Sequence, residues 1–389
     1  MFFTAYILWL VIFILNQTYY RETLNIPIFS KPIRIIIYVI LIFKILYENA
    51  YSLKSISAAV ILVIVFIIAL KSNGIILLDT FLFIYSCRNI SFKRIVKVTL
   101  IINIIMMLLI VLSSLVGIIK NDIWYRSDFY PRFGMGYRYC TFLANYYFHI
   151  ILMYVFLKEK KRFKLIEAII ILILNYLIYL ITDTRVVFYL ICVFVITTYL
   201  SNYYKGIINN IGILKVALKY CFPIAAIISI VGSISYNKSS KIYLFLDNLL
   251  SGRLHLGKEA YEIYGIGLLG QKVQWVTGRS GIDRASDSTY IFVDSSYLNI
   301  AIVYGIIILA LICVGFIFVL NDSIKMNKKN ICLVLLFLAI HSITDPQLIQ
   351  LEYHPFLLMF GIFFRKKVKK DIRGKMQYER YYFGRGFRN

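Results

Sequence analysis

Residues 237–293 read NKSSKIYLFLDNLLSGRLHLGKEAYEIYGIGLLGQKVQWVTGRSGIDRASDSTYIFV and form one long polar interruption between apolar runs. A stretch this long and this mixed cannot cross a lipid bilayer, because its backbone groups would lack hydrogen-bond partners there. We therefore predict a small cap outside the membrane, placed over the working site. Among its ionisable residues are Arg253, His255, Arg279, Asp283, Arg284 and Asp287, and Asp294 lies at its edge.

The composition of the whole chain is typical of a membrane protein. Of its 389 residues, 60% are hydrophobic, and the mean hydropathy is +0.77, whereas a soluble domain is nearer half apolar. The formal net charge of +24 lies in short clusters between apolar runs. This distribution indicates the positive-inside bias and not a nucleic-acid surface. The six cysteines form no CxxC pair, so we predict neither a disulfide framework nor a zinc site.

About twelve apolar runs approach the length of roughly 20 residues that a membrane span needs. They lie near residues 2–20, 33–48, 56–71, 74–87, 96–119, 138–157, 164–182, 186–201, 213–236, 295–320, 330–346 and 350–365. The predicted fold is an all-α polytopic membrane protein with one integral membrane domain, residues 1–365, and a basic cytoplasmic tail, residues 366–389. The first run lacks the basic region and cleavage site of a signal peptide, so we predict a retained span.

The placement of lysines and arginines predicts the orientation of these spans. Basic clusters occur in alternate loops, near residues 88–97, 158–164, 205–219 and 325–329. That side is expected to be cytoplasmic, with both termini on it. The loop 21–32 is placed on the opposite side although it carries two basic residues, which is an exception to the positive-inside bias. The opposite, extracytoplasmic face then receives the loop 120–137, the turn at Arg185, the cap 237–293 and the region 341–352. Any chemistry is expected on that face.

Two outer segments carry arginines suited to anionic ligands. Arg132 and Arg138 flank a Gly-Met-Gly segment, and glycines let backbone amides approach a ligand closely. Guanidinium groups bind phosphate oxygens bidentately, although interfacial arginines also contact lipid phosphates. Asp183 and Arg185 lie between two adjacent spans, where they either serve the function or form a local ion pair that closes the turn.

The cap and its edge supply two further candidates. Arg253 lies in SGRLHL, residues 251–256, within an amphipathic segment of the kind that rests in a membrane interface. It is either a ligand of a diphosphate at the membrane surface or an ordinary interfacial arginine, while His255 is expected to serve packing or the surface. Asp294 opens a span, where it caps the helix, orients a hydroxyl group or pairs with an arginine.

His341 and Asp345 form the last candidate pair. Their i,i+4 spacing places them on one helix face if the helix extends that far. A histidine beside a carboxylate is suited to act as a general base, and the alternative is a buried hydrogen-bonded pair. No phosphate loop, HExxH or nucleotide-binding motif is present in the sequence, so neither a metal ion nor a nucleotide cofactor is predicted.

Six segments together resemble the Wzy-type oligosaccharide repeat-unit polymerases, in the wider family that includes O-antigen ligases. In chain order they are RFGMGY (132–137), TDTR (182–185), SGRL (251–254), YGIGLLGQ (264–271), VDSSYL (293–298) and HSITDPQ (341–347). Each motif is weak by itself, but their order and shared face make the combination more specific.

The resemblance implies an inverting membrane glycosyltransferase that uses undecaprenyl-diphosphate-linked oligosaccharides as donor and acceptor, without metal or nucleotide. It implies that Arg185 and Arg253 hold the donor diphosphate, with Arg132 as a further match and His341 as a looser match to the ligases' catalytic histidine. Expected partners are membrane lipids, a flippase and a chain-length regulator. The rival hypotheses are an O-antigen ligase-type transferase and a lipid-linked oligosaccharide flippase or transporter, the latter with ionisable residues along a path through the spans.

Overall fold

A computed structural model describes residues 1–48, 53–72, 74–125, 130–159, 161–203, 212–276 and 290–365. The predicted basic tail 366–389 lies outside these residues. So do Arg126 in the first outer loop and four charged residues of the cap, which are Arg279, Asp283, Arg284 and Asp287.

Apolar helices make up most of the first half of the chain. In order, the elements are α1 (Phe2–Asn16), α2 (Tyr20–Thr23), α3 (Ile26–Tyr47), α4 (Leu53–Ser72), α5 (Ile75–Ser86), α6 (Phe92–Leu115), β1 (Ile123–Tyr125), β2 (Pro131–Phe133), α7 (Phe142–Leu157), α8 (Leu165–Thr182) and α9 (Arg185–Leu200). The two short strands pair antiparallel in the loop between α6 and α7. The segment 21–32, predicted to be a loop, is largely helical, because α3 begins at Ile26 with a proline in its first turn, a position that suits proline.

The second half alternates between apolar helices and the cap. Its elements are α10 (Gly212–Lys219), α11 (Cys221–Ile234), α12 (Lys241–Leu249), α13 (Arg253–Tyr264), α14 (Ser296–Val303), α15 (Ile306–Lys325), α16 (Lys329–His341) and a final 3-10 helix (Phe356–Phe364). The predicted cap therefore contains two short helices, α12 and α13. Two predicted spans are broken, between α10 and α11 and between α14 and α15.

Four helices are long and apolar enough to cross a membrane: α3, α6, α8 and α15. The pair α10 and α11, bent by 64°, adds a fifth if it is counted as one span. Six shorter apolar helices of 10–17 residues are also present among the described residues, with α4 counted from Ile56. The mostly helical architecture is compatible with the predicted all-α membrane protein, but by length and composition it falls short of the predicted twelve spans.

Contacts between distant segments define two ends of the helical bundle. One end, here called the cap end, is marked by three hydrogen bonds: Arg138 to Gln17, Arg132 to Thr182, and Arg253 to Thr344. The opposite end is marked by three others: Lys44 to Ser86, Lys329 to Ser201, and Asn330 to Val155. Of the four segments predicted to share the extracytoplasmic face, the loop 120–137 thus contacts the turn before Arg185, and the cap contacts the region 341–352.

Residues 342–355 are irregular yet mostly buried inside the bundle. The predicted spans 330–346 and 350–365 differ here from the structure, since α16 ends at His341 and the next helix starts only at Phe356. Pro346 and Pro355 explain the interruption, because proline disrupts a helix interior. Irregular backbone is tolerated inside a membrane bundle where protein groups satisfy it. Accordingly, the Asn103 side chain donates to the carbonyls of Glu352 and Tyr353.

Candidate functional site

Arg253 joins the cap to the bundle. It is the first residue of α13 and follows Ser251 and Gly252, whose φ angles of 58° and 83° turn the chain sharply after α12. Its Nε donates to the Thr344 carbonyl at 2.6 Å, and its Nη1 donates to the Leu250 carbonyl at 3.0 Å. The side chain is 15% exposed. These bonds hold the guanidinium in one orientation at the cap end.

Asp294 completes what we call the Arg253 junction, which consists of Arg253, Asp294 and the Thr344 carbonyl. Its Oδ2 lies 3.6 Å from Nε of Arg253, and its side chain is 28% exposed. Burial raises the pKa of the Asp294 carboxyl above its ordinary value, and the Arg253 charge partly offsets this rise. Of the sequence-based alternatives, pairing with an arginine is correct and capping is wrong, because the side chain of Ser295 caps α14.

His341 and Asp345 lie directly beneath this junction and are buried. His341 Nε2 is 3.5 Å from Asp345 Oδ2, so the predicted pairing is present although α16 ends at His341. Asn145 of α7 bridges the two residues, with its amide 3.1 Å from Asp345 Oδ1 and its oxygen 3.2 Å from His341 Nε2. The His341 side chain is only 1% exposed and stacks on Phe148. This pair fixes the segment that carries Thr344.

The histidines that surround His341 were not predicted from the sequence. The ring of His149 lies 5.0 Å from that of His341 and 4.7 Å from that of His354, measured between centroids. All three are buried, and among the described residues neither ring nitrogen of His149 has a hydrogen-bond partner of standard geometry. Among the described residues, no group of His, Cys, Asp or Glu is arranged to hold a metal ion. A signal was available, since Asn145 and His149 are polar residues at i,i+4 within an apolar run.

Arg132 is held by the neighbouring turn. It lies on β2 opposite Trp124, and its Nε donates to the Thr182 carbonyl at 2.9 Å. The Gly-Met-Gly segment that follows is buried, and it does not present the free amides expected from the sequence. Its first two amides donate to the Asp122 carbonyl and to the Asn121 side chain. The segment therefore serves packing, and only the arginine remains a candidate.

Arg138 is placed apart from the other arginines of the site. Its amide donates to the Gln17 carbonyl, and its side chain is exposed. Its charge acts on Arg21 and Tyr19 at the end of α1. Arg138 thus acts on the end of α1, whereas the guanidinium of Arg132 contacts the turn at Thr182.

Asp183 and Arg185 form the local ion pair that was one of the two sequence-based alternatives. Arg185 Nε lies 3.2 Å from Asp183 Oδ1. Asp183 ends α8 with a φ angle of 43°, and Arg185 begins α9. The Arg185 side chain remains 52% exposed, so it is accessible to a ligand at the cap end.

Tyr139 connects the two groups of arginines. Its phenol lies within electrostatic range of Asp294, Arg132 and Arg253. Because Arg132 also contacts the turn at Thr182, we infer that the junction and the turn border one polar surface at the cap end. Such a surface offers guanidinium groups to an anionic ligand and a carboxylate to a hydroxyl group.

No family model, no curated protein and no solved structure matches the chain.

Proposed function

We propose that this chain is a polysaccharide repeat-unit polymerase that joins undecaprenyl-diphosphate-linked oligosaccharides by glycosyl transfer. The proposal rests mainly on the Arg253 junction, where an oriented guanidinium and a carboxylate meet at one end of an apolar bundle. A lipid-linked donor presents its diphosphate and sugar at the membrane surface, which is the level such an end of a membrane bundle occupies. The sequence resemblance to Wzy-type polymerases supports the same class.

Arg253 is proposed to bind the donor diphosphate. A guanidinium group has five N–H donors, and the described contacts of Arg253 use its Nε and Nη1. The remaining donors suit the oxygens of a diphosphate. An arginine already oriented by protein carbonyls stabilises charge that develops on a leaving group without reorganising during the reaction. Arg132 and Arg185, which border the same surface, are proposed to hold the outer phosphate or the attached sugar.

Asp294 is proposed to accept the proton of the acceptor hydroxyl. The hydroxyl oxygen attacks the anomeric carbon of the donor, and the bond from that carbon to the diphosphate oxygen breaks with inversion. The electron pair leaves on the diphosphate beside Arg253, and the proton passes to the Asp294 carboxylate. The raised pKa makes the Asp294 carboxylate a stronger base than an ordinary aspartate. Its side chain is 28% exposed, whereas His341, expected from the sequence to be the base, is buried.

His341 and Asp345 are accordingly proposed as positioning residues. Through Asn145 they fix the irregular segment 342–355, and that segment supplies the Thr344 carbonyl that orients Arg253. Their loss is expected to disturb the junction without removing the proton acceptor itself.

The proposal includes the twelve-span topology in the cytoplasmic membrane of a bacterium, with both termini in the cytoplasm and the cap outside. The expected partners are the lipid-linked donor and acceptor, surrounding lipids, a flippase and a chain-length regulator. No metal or nucleotide is invoked in the transfer, because the donor already carries a good leaving group.

The decisive experiment uses the purified full chain with undecaprenyl-diphosphate-linked repeat units in lipid vesicles. A polymerase lengthens the lipid-linked sugar in steps of one repeat unit. An O-antigen ligase-type transferase instead consumes the donor only when a separate acceptor is added. Absence of transfer under both conditions would overturn the enzymatic proposal.

A lipid-linked oligosaccharide flippase or transporter is the second candidate, and one observation favours it. Transporter sites are built from interrupted helices near the bilayer midplane, and the irregular segment 342–355 carries buried His354 beside His149, whose ring nitrogens have no partner of standard geometry among the described residues. Movement of a fluorescent lipid-linked sugar across vesicles that contain the protein, without any change in its sugar chain, would support this candidate.

A further inference from the structure

Helix α12 presents an apolar face that the described protein does not cover. Ile242, Phe245 and Leu249 are 72%, 68% and 62% exposed. Their i, i+3, i+7 spacing places them on one side of the helix. Asp247 is the buried residue of α12, so the helix contacts the rest of the molecule through a different side. The apolar side therefore requires an occupant outside the described chain.

The position of α12 indicates which occupant this is. Helix α11 precedes it and carries exposed apolar residues along its length: Ile224, Ile227, Ile228 and Val231. This surface is lipid-facing if α10 and α11 form a span, as their combined length and hydropathy allow. Six residues separate Ile234 from Lys241, and they reach at most roughly 20 Å. Helix α12 therefore starts close to the membrane boundary.

The charge at the start of α12 is also consistent with a position at the membrane boundary. Lys238 and Lys241 are exposed beside the apolar face, and lysines near a membrane surface are attracted to anionic headgroups. A short helix with one apolar side and flanking lysines is the type of segment that lies within the interface.

We propose that α12 lies in the plane of the membrane, at the boundary between lipid headgroups and acyl chains. Ile242, Phe245 and Leu249 point toward the acyl chains, and Lys238 and Lys241 contact lipid phosphates. The occupant of the apolar face is the bilayer itself.

Asp247 connects this membrane contact to the cap. Its Oδ1 accepts hydrogen bonds from the amides of Leu254 and His255, at 2.8 and 3.2 Å. Its Oδ2 lies 2.8 Å from Nδ1 of His255. The first turn of α13 is thereby fixed to α12, and Arg253 is the first residue of α13. If the proposed function holds, the depth of α12 sets the height of Arg253 relative to the lipid headgroups, and this consequence rests on that function.

Site-directed spin labelling of the full chain in phosphatidylglycerol and phosphatidylethanolamine vesicles tests the proposal. A Cys192→Ala background removes the half-buried native cysteine, and the other five are buried. Single cysteines are then introduced at Ile242, Phe245 and Leu249, with Asn248 on the same helix as the matched control. Accessibility of each nitroxide to oxygen and to a water-soluble nickel chelate is measured.

The expected result is high oxygen and low nickel accessibility at the three apolar positions, and the reverse at position 248. Equal nickel accessibility at all four positions would overturn the proposal, because the helix would then lie in water. Low accessibility to both reagents at the apolar positions would also overturn it, because protein would cover the face. This readout requires no catalytic activity, so it is independent of the glycosyl-transfer proposal.

Discussion

The Arg253 junction and the Asp183–Arg185 turn both place an arginine beside an aspartate at the cap end, but they are built differently. Arg253 and Asp294 are far apart in sequence, and Thr344 comes from a third segment. Asp183 and Arg185 are two residues apart, and their pairing follows from one tight turn between α8 and α9. Arg253 is 15% exposed, whereas Arg185 is 52% exposed.

This difference separates two arginines that sequence motifs treated alike. An ion pair whose arginine is half exposed contributes little, because water screens it and its side chains lose freedom on pairing. An arginine oriented by carbonyls from separate segments is organised before the ligand arrives, and it is costly to replace. We therefore expect the junction to dominate the activity and the turn to contribute less.

The largest effect is expected for Arg253→Ala, which removes the guanidinium of the junction. Polymer should be undetectable, a loss of at least the about 10²–10³-fold that removal of one oriented charge-stabilising donor causes. Arg253→Lys should also fail substantially, because an ammonium group does not reproduce the bidentate fork. The measurement is the rate of chain lengthening by purified protein in vesicles.

Arg138→Ala is the matched control, since this arginine is exposed at the same end but lies outside the junction. It should retain near wild-type activity. Full activity in Arg253→Ala, with the protein folded and inserted, would show that Arg253 is only an interfacial anchor. The junction would then contribute no more to activity than the turn.

The second effect is expected for Asp294→Asn, which removes the proposed proton acceptor. Activity should fall by about 10²–10⁴-fold, the usual contribution of general-base assistance. In the wild type, activity should fall as the pH drops through the raised pKa of Asp294, because the protonated carboxyl cannot accept a proton. The measurement is kcat/KM against pH, and the acid limb should lie above the range of an ordinary aspartate.

His341→Gln tests whether His341 is the general base or a residue that positions the Arg253 junction. Glutamine keeps hydrogen bonding but not basicity, so a positioning role predicts lower activity with the acid limb of the pH profile unchanged. Loss of the acid limb in His341→Gln, together with its persistence in Asp294→Asn, would return the role of base to His341.

The smallest effect is expected for Arg185→Ala. Its kcat/KM for the lipid-linked donor should decrease about tenfold, because an exposed guanidinium binds its ligand in competition with water. Asp183→Asn should have less effect if Arg185 acts on the substrate. Equal decreases in the two variants would show that the turn acts only through its local ion pair. The comparison uses kcat/KM for the lipid-linked donor, with both proteins at matched levels in vesicles.

Much of the helical architecture was predictable, because long apolar runs leave few alternatives to helices. The breaks were harder to predict, since hydropathy averages over them. Residues 342–355 are apolar enough to resemble span ends, yet two prolines and the side-chain hydrogen bonds of Asn103 stabilise irregular backbone there. The burial of the Gly-Met-Gly segment was also hidden, because the partners of its amides lie in the chain before β1.

The candidate site was predictable in its residue types and only partly in its geometry. The arginines and carboxylates at the cap end were identified from their place between apolar runs. The pairing of Arg253 with Asp294, the bridging role of Asn145 and the neighbours of His341 depend on which helices pack together. No local pattern specifies those contacts.

The sequence by itself determined a mostly helical chain whose apolar helices are compatible with a membrane, because hydropathy and charge placement act segment by segment. For the turn it left two alternatives open, and the structure shows that the local Asp183–Arg185 ion pair forms. Only the tertiary structure decided that Arg253 meets Asp294 and Thr344, that His341 is enclosed and that Arg138 lies apart. Those outcomes depend on packing between segments separated by tens to hundreds of residues, and the energy of such contacts exists only once the bundle has formed.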